Sequence, residues 1–165
     1  MFLLMCATLY AAPARLSFGD ASASGDHFTI PIYAEGNVAR LEAMALRVNY
    51  PRGAIVSATM HRAGLTAGPK PMFETAVEGP DSIVLLASFS QPVAESADLG
   101  RSVIAEVELT FAPSAPRDLQ ITLDPALCTL GEKSGMNMFS VANGTLVVTG
   151  TSIDRAAGRN RAARH

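Results

Sequence analysis

Three histidines, two cysteines and a scatter of carboxylates are all that this sequence offers to chemistry. His27, His61 and His165 lie far apart along the chain. A nucleophilic triad needs an oriented serine or cysteine beside one of them, and neither G-x-S-x-G nor another nucleophile turn occurs. His27 falls on the polar side of an alternating run and His61 in a loop, so both read as surface residues. Zinc would need clustered ligands at the right spacing, which these residues lack. Glu106 and Glu108 share one side of an alternating stretch, about 7 Å apart along a strand. Paired carboxylates can hydrolyse glycosides. The same spacing also describes a solvated sheet face or the rim of a partner site, and we read it in that second way. Glu74, Glu78 and Asp81 lie close in sequence without EF-hand spacing. No catalytic residue, metal site or cofactor is expected, and the chain reads as a binding protein rather than an enzyme.

Those residues must be held by something, and length and composition bound what it is. At 165 residues the chain suits one domain, and 48% hydrophobic residues can build a full core. Charged residues make up only 17%, which argues against wholesale disorder. The net charge of -2 hides an asymmetry. Arg155, Arg159, Arg161 and Arg164 stand near the end of the chain with no acid among them. Without those four of its 13 basic residues, the body carries nine against 15 acids, a net of -6. An acidic body lacks the basic face that phosphates require, so no nucleic-acid partner is expected. Residues 151–165 read as a basic, disordered tail.

The first residues read as a targeting segment. Phe2 to Ala12 form an apolar run too short to span a bilayer, so no transmembrane segment is expected. Ala12-Pro13-Ala14 supplies small residues before Arg15, as at a signal cleavage site, although a basic leading region is missing. Met5 precedes Cys6 where a lipoprotein site needs a small residue. Residues 1–14 are therefore set aside as a signal peptide, and the protein is expected to be secreted, extracellular or on the cell surface. Export leaves Cys128 as the one cysteine of the mature chain, which excludes an internal disulfide. It reads as a small buried apolar residue.

The strongest patterning lies between Asp26 and Met60. Phe28, Ile30 and Ile32 alternate with polar neighbours, and so do Met44, Leu46, Val48 and Tyr50. A period of two gives each run one face to bury. A polar connection at Glu35-Gly36-Asn37 is expected between these two strands, with a break at Pro51-Arg52-Gly53. Pro31 cannot donate to a ladder, so its strand is an edge there or carries a bulge. Ala54–Met60 continues as a strand, and His61–Pro71 reads as a loop. Ser82–Phe89 is almost continuously apolar, as in a central strand covered on both sides. Gln91–Gly100 is polar, with a helical turn expected around Glu95–Asp98. Val103 to Phe111 alternates cleanly, as do Leu119, Ile121 and Leu123. Asn143-Gly144 is a turn signal before a closing strand at Leu146 and Val148. These patterns predict an all-β, antiparallel sandwich of eight or nine strands over residues 15–150.

In order, these motifs resemble a cohesin domain. Gly25-Asp26 opens an alternating strand, and Leu46-Arg47-Val48-Asn49-Tyr50-Pro51 ends the next in a Tyr and a Pro. Gly100 leads to a strand ending Leu109-Thr110-Phe111, and Asn143-Gly144-Thr145-Leu146-Val147-Val148 closes the set. The resemblance covers about residues 15–150. It implies a jelly-roll sandwich whose first and last strands lie together. It also implies an exported, non-catalytic module that attaches a protein, which in cellulosomes bears a dockerin. Two departures stand out. The family has Tyr-Asp-Pro where Tyr50 here meets Pro51 directly. Aligned on that Tyr, the family's polar contact positions fall on Ala43 and Ala45, which cannot make those hydrogen bonds.

Three binding modes follow. Protein attachment leads, through a sheet face of Ala43, Ala45, Arg47 and Asn49 with Glu106 and Glu108 nearby. Small residues ringed by charge suit a flat partner. Polysaccharide binding is the alternative. It would need exposed aromatics for stacking, and with no Trp the best is Tyr33, while Phe73 and Phe139 read as core. The third is an adhesive module using a sheet face or an edge strand.

Overall fold

The computed structural model describes residues 14–131, 133–134, 138–139, 147–148 and 150–162. The expected signal segment, apart from Ala14, lies outside the described residues. Strands in chain order are β1 (Arg15–Phe18), β2 (Ser22–Ser24), β3 (His27–Leu41), β4 (Ala43–Asn49) and β5 (Ile55–Arg62). They continue with β6 (Pro71–Glu78), β7 (Ser82–Phe89), β8 (Ala94–Phe111), β9 (Asp118–Leu123) and β10 (Thr129–Gly131). The last are β11 (Lys133–Ser134), β12 (Met138–Phe139), β13 (Val147–Val148), β14 (Gly150–Asp154) and β15 (Arg159–Ala162). One sheet runs β13-β1-β3-β8-β5 with β2 also on β3. The second runs β15-β14-β9-β4-β7-β6 with β10 also on β4. The expected sandwich is therefore present, and β1 lies parallel beside β13, the strand expected to close the domain, although β14 and β15 follow it in the second sheet.

The alternating positions build the core between the sheets. Phe28, Ile30, Ile32, Met44, Leu46 and Val48 are fully buried in one core with Ile83, Leu85, Val107, Leu109 and Ile121. Each such side chain contributes about 1.5–3 kcal/mol over its exposed state. Phe28 and Phe111 pack edge to face with centroids 4.8 Å apart. Pro31 costs no ladder bond because β1 pairs with β3 only as far as Ile32 and the pairing of β2 reaches only to Thr29. In the gap its carbonyl accepts from Gly19 N at 2.7 Å.

Three expected interruptions are strands instead. Glu35-Gly36-Asn37 is an irregularity inside β3, which continues along β8 on both sides of it. Gly36 (φ 91°) and Gly100 (φ 55°) absorb the shift, so neither strand needs to end. Gln91–Gly100 is not helical, because from Ala94 it belongs to β8 and pairs with the far end of β3. The change of sheet comes at Glu42, whose N donates to Gly131 O (2.9 Å) and whose O accepts from Phe89 N (2.8 Å). His61 likewise lies within β5, not in a loop.

The domain does not stop at Gly150. β14 pairs with β9 along its length, and β15 pairs with β14. Thr151, Ile153 and Asp154 are buried. Burial alone would raise the Asp154 carboxyl. The bonds it accepts from Arg117 (3.3 Å), Ala157 N (3.2 Å) and Ala156 N (3.0 Å) outweigh that and hold it below its ordinary value. Arg155 ties the hairpin to the other sheet through Asp26 (2.9 Å) and Ala115 O (2.6 Å). The arginines that made this segment look like a solvated tail include the two that anchor it, Arg155 by donating and Arg159 by pairing opposite Asp154.

Candidate partner-binding face

Register places three rows of side chains across the outer face of the second sheet. Val77, Val84 and Arg47 form one row, and Thr75, Leu86 and Ala45 the next. Phe73, Ser88 and Ala43 form the third. Val77 is 58% exposed and Phe73 38%, while Val84, Leu86 and Thr75 are half-buried. Ser82–Phe89 was expected to be covered on both sides. In fact Ile83, Leu85, Ala87 and Phe89 fill the core, and Val84 and Leu86 line an open apolar strip with β6. Phe73, expected in the core, belongs to that strip. The side chain of Phe139 lies outside the described residues.

The strip has a polar corner. Arg47 Nε donates to Asn49 Oδ1 at 2.9 Å and lies 3.9 Å from Asp124 Oδ2. Asn49 Nδ2 reaches the same carboxylate at 3.5 Å. An apolar centre with a charged, hydrogen-bonded rim is the usual anatomy of a protein-binding patch. The expected centre is a different matter, because Ala43 and Ala45 are only 2% and 8% exposed. They and Ser88 sit at the end of the face where β10 pairs with β4 and β12 runs against it.

The β6–β7 hairpin that carries the strip is pinned from β4. Gly79 N donates to Ser82 O at 2.7 Å across the turn, and Tyr50 N to Asp81 O at 2.9 Å. The buried Tyr50 hydroxyl reaches Gly79 O (3.1 Å) and Ser82 O (3.0 Å). Burial, followed by the nearby Glu78 and Asp81 carboxylates, pushes this phenol up to about 12. On the sandwich side of β6, Glu78 Oε1 accepts from Ala58 N at 2.8 Å, and Glu74 Oε2 lies 3.0 Å from Arg62 Nε. These carboxylates are thus spent on structure and do not converge on an ion. Among the described residues no cluster of three metal-ligating side chains forms.

Glu106 and Glu108 do not join Arg47 and Asn49. They lie in β8 on the first sheet, so the six residues expected to form one patch divide between opposite faces of the sandwich. There they belong to a polar grid. His61 Nε2 is 3.4 Å from Glu106 Oε2, Thr59 Oγ1 donates to Glu108 Oε2 at 3.3 Å, and His27 Nδ1 is 2.9 Å from Thr110 Oγ1. On the same sheet Tyr33 is half-buried beneath Arg101, whose guanidinium carbon lies 4.2 Å from the ring centroid. That cation–π contact occupies the ring face a sugar would use.

Cys128 is a free, buried thiol. Its Sγ accepts from Arg47 N at 3.3 Å and donates to Arg47 O at 3.6 Å, standing in for a ladder partner between β9 and β10. Burial pushes the thiol up, which keeps it protonated and unreactive.

No protein-family model matches the chain, and no curated protein sequence matches it. Solved structures do. The seventh ScaB type I cohesin from Pseudobacteroides cellulosolvens superposes with a TM-score of 0.62 at 14% identity, over 86% of this chain and 91% of that one. The third ScaC cohesin of Acetivibrio cellulolyticus, solved with the ScaB dockerin, gives 0.59 at 16% identity, over 86% and 97%. A non-cellulosomal cohesin from the archaeon Archaeoglobus fulgidus gives 0.52 at 13%, over 84% and 89%. The chain has the cohesin fold.

Proposed function

We propose that this protein is an exported, non-catalytic attachment module that holds a partner protein on the outer face of its second sheet. The observation that carries the reading is the apolar strip of Phe73, Val77, Val84 and Leu86 left open beside the Arg47–Asn49–Asp124 corner. Contiguous exposed apolar surface on a stable fold marks an interaction site. A dockerin-type helical partner is the first to try, because a cohesin of the same fold is solved with one. Ala43 and Ala45 supply neither hydrogen bonds nor access, so the partner sits over β6 and β7 rather than over the start of β4.

Calorimetric titration of the full chain against a panel of purified dockerin modules tests the partner class. A member of the panel binds, and Leu86→Asp weakens it by tenfold or more, about 1.4 kcal/mol. Binding that survives Leu86→Asp and Val77→Asp together contradicts the assigned face. Export rests on the apolar run Phe2–Ala12 and the small residues before Arg15. Expression in a secreting host is expected to yield a mature protein beginning at Arg15, read by amino-terminal sequencing. The polysaccharide alternative draws no support from Tyr33, whose ring face Arg101 covers.

A further inference from the structure

The outermost strand of the second sheet, β6, pairs with β7 on one side. Among the described residues no strand pairs with its other side. The hairpin turn fixes which backbone groups face outward. Gly79 and Ser82 form a hydrogen-bonded pair across a two-residue loop. Such pairs alternate along an antiparallel ladder, so Val77–Val84 and Thr75–Leu86 are hydrogen-bonded as well. Glu74 and Ala76 therefore turn their N–H and C=O groups to the open edge.

Proteins guard such edges with lysines, interior prolines or unpaired charges. Here β6 contains no Lys and its Pro71 is the first residue. Its two carboxylates are turned back onto their own sandwich, Glu74 to Arg62 and Glu78 to the Ala58 N–H. Six of its eight residues are exposed.

We propose that β6 pairs antiparallel with β6 of a second copy, across a two-fold axis through Thr75. An axis through a residue keeps outward side chains beside outward ones. An axis through Ala76 would set Glu74 against Glu78 of the other copy, and one through Glu74 would set that carboxylate against itself. Like charges directly opposite are destabilising. Only the Thr75 register among these three avoids both clashes. It places Phe73 opposite Val77 of the second copy and Val77 opposite Phe73 of the second copy, aromatic against β-branched on each side of a Thr–Thr pair. Glu74 then meets Ala76 of the second copy, exchanging backbone hydrogen bonds. The two sheets become one, and the apolar strips of both copies lie side by side. The inference stands apart from the partner-binding reading, since Leu86 lies one strand in and its substitution leaves the edge backbone intact.

Sedimentation velocity over a concentration series tests it. The wild-type chain shifts from monomer to dimer as concentration rises. Ala76→Pro removes an edge N–H that the β6–β7 ladder does not use, and weakens the association about tenfold or more at unchanged melting temperature. Thr75→Cys brings two thiols together at a close, non-hydrogen-bonded pair, and yields a disulfide-linked dimer under mild oxidation that the parent chain does not. A wild-type chain that stays monomeric throughout overturns the proposal. So does a dimer that survives Ala76→Pro, or one in which Thr75→Cys fails to cross-link.

Discussion

Tyr50 holds in place the hairpin that carries the candidate site. It lies at the end of β4, yet it holds the β6–β7 turn through both its hydroxyl and its backbone N–H. Tyr50→Phe removes the hydroxyl donor that the Gly79 and Ser82 carbonyls share, leaving Ser82 O with Gly79 N alone, and lowers stability by about 1 kcal/mol, measured by urea denaturation. The phenol also sets a pH window. Its folded value is raised from 10.0 to about 12. The contribution is therefore complete below pH 10 and fades as pH climbs toward 12, a slope that Tyr50→Phe removes. Tyr50-Pro51 was conspicuous in the sequence as a strand end, and Cys128 was legible as a buried thiol. What Tyr50 grips was not legible, because Gly79 and Ser82 are brought to it only by the sheet.

Among the elements, those with strict alternation were readable and those made by pairing were not. Phe28-Ile30-Ile32 and Leu119-Ile121-Leu123 declared their buried faces at once. The stretch Gln91–Gly100 carries no such pattern, and it is extended because β3 offers it a partner. The shift in β8 near Ile104 is likewise silent in sequence. There the Ile104 carbonyl leaves the ladder and accepts from Ala63 N (3.2 Å) and Thr66 Oγ1 (2.6 Å). That turn depends on Gly64, at φ 53°, where a Cβ would run into the Val103 backbone. Gly64→Ala should cost about 2–4 kcal/mol from the left-handed backbone and the clash together, read as a lowered urea midpoint. The closing hairpin makes the sharpest contrast with composition. Ile153 is fully buried within a segment whose arginines look like a solvated end. Ile153→Ala is expected to destabilise by about 2–5 kcal/mol in the same assay, whereas a disordered tail would register nothing.

At the scale of the molecule, the sandwich was legible because two apolar faces per strand pair leave few other solutions. The proposed binding face was half legible. Arg47 and Asn49 are on it, but Glu106 and Glu108 are on the opposite sheet, and the start of β4 is covered. The apolar strip was missed for a physical reason. A continuous apolar run such as Ser82–Phe89 fits a doubly buried strand and a strand with one open face equally well. Only the exposure of Val77 and Phe73 on the neighbouring strand separates the two. The first sheet carries the contrasting surface, a hydrogen-bonded polar grid in which Thr59, Glu108, His61 and Glu106 satisfy one another.

The central claim, that a partner protein is held by the outer face of the second sheet, is tested most directly by charging the two faces in turn. Leu86→Asp and Glu106→Lys are each titrated calorimetrically against whichever module of the dockerin panel the wild type binds, with melting curves to confirm folding. Leu86→Asp is expected to lose at least tenfold in affinity, and Glu106→Lys to change it less than twofold. The reverse pattern would place the partner on the polar grid of the first sheet and contradict the assignment.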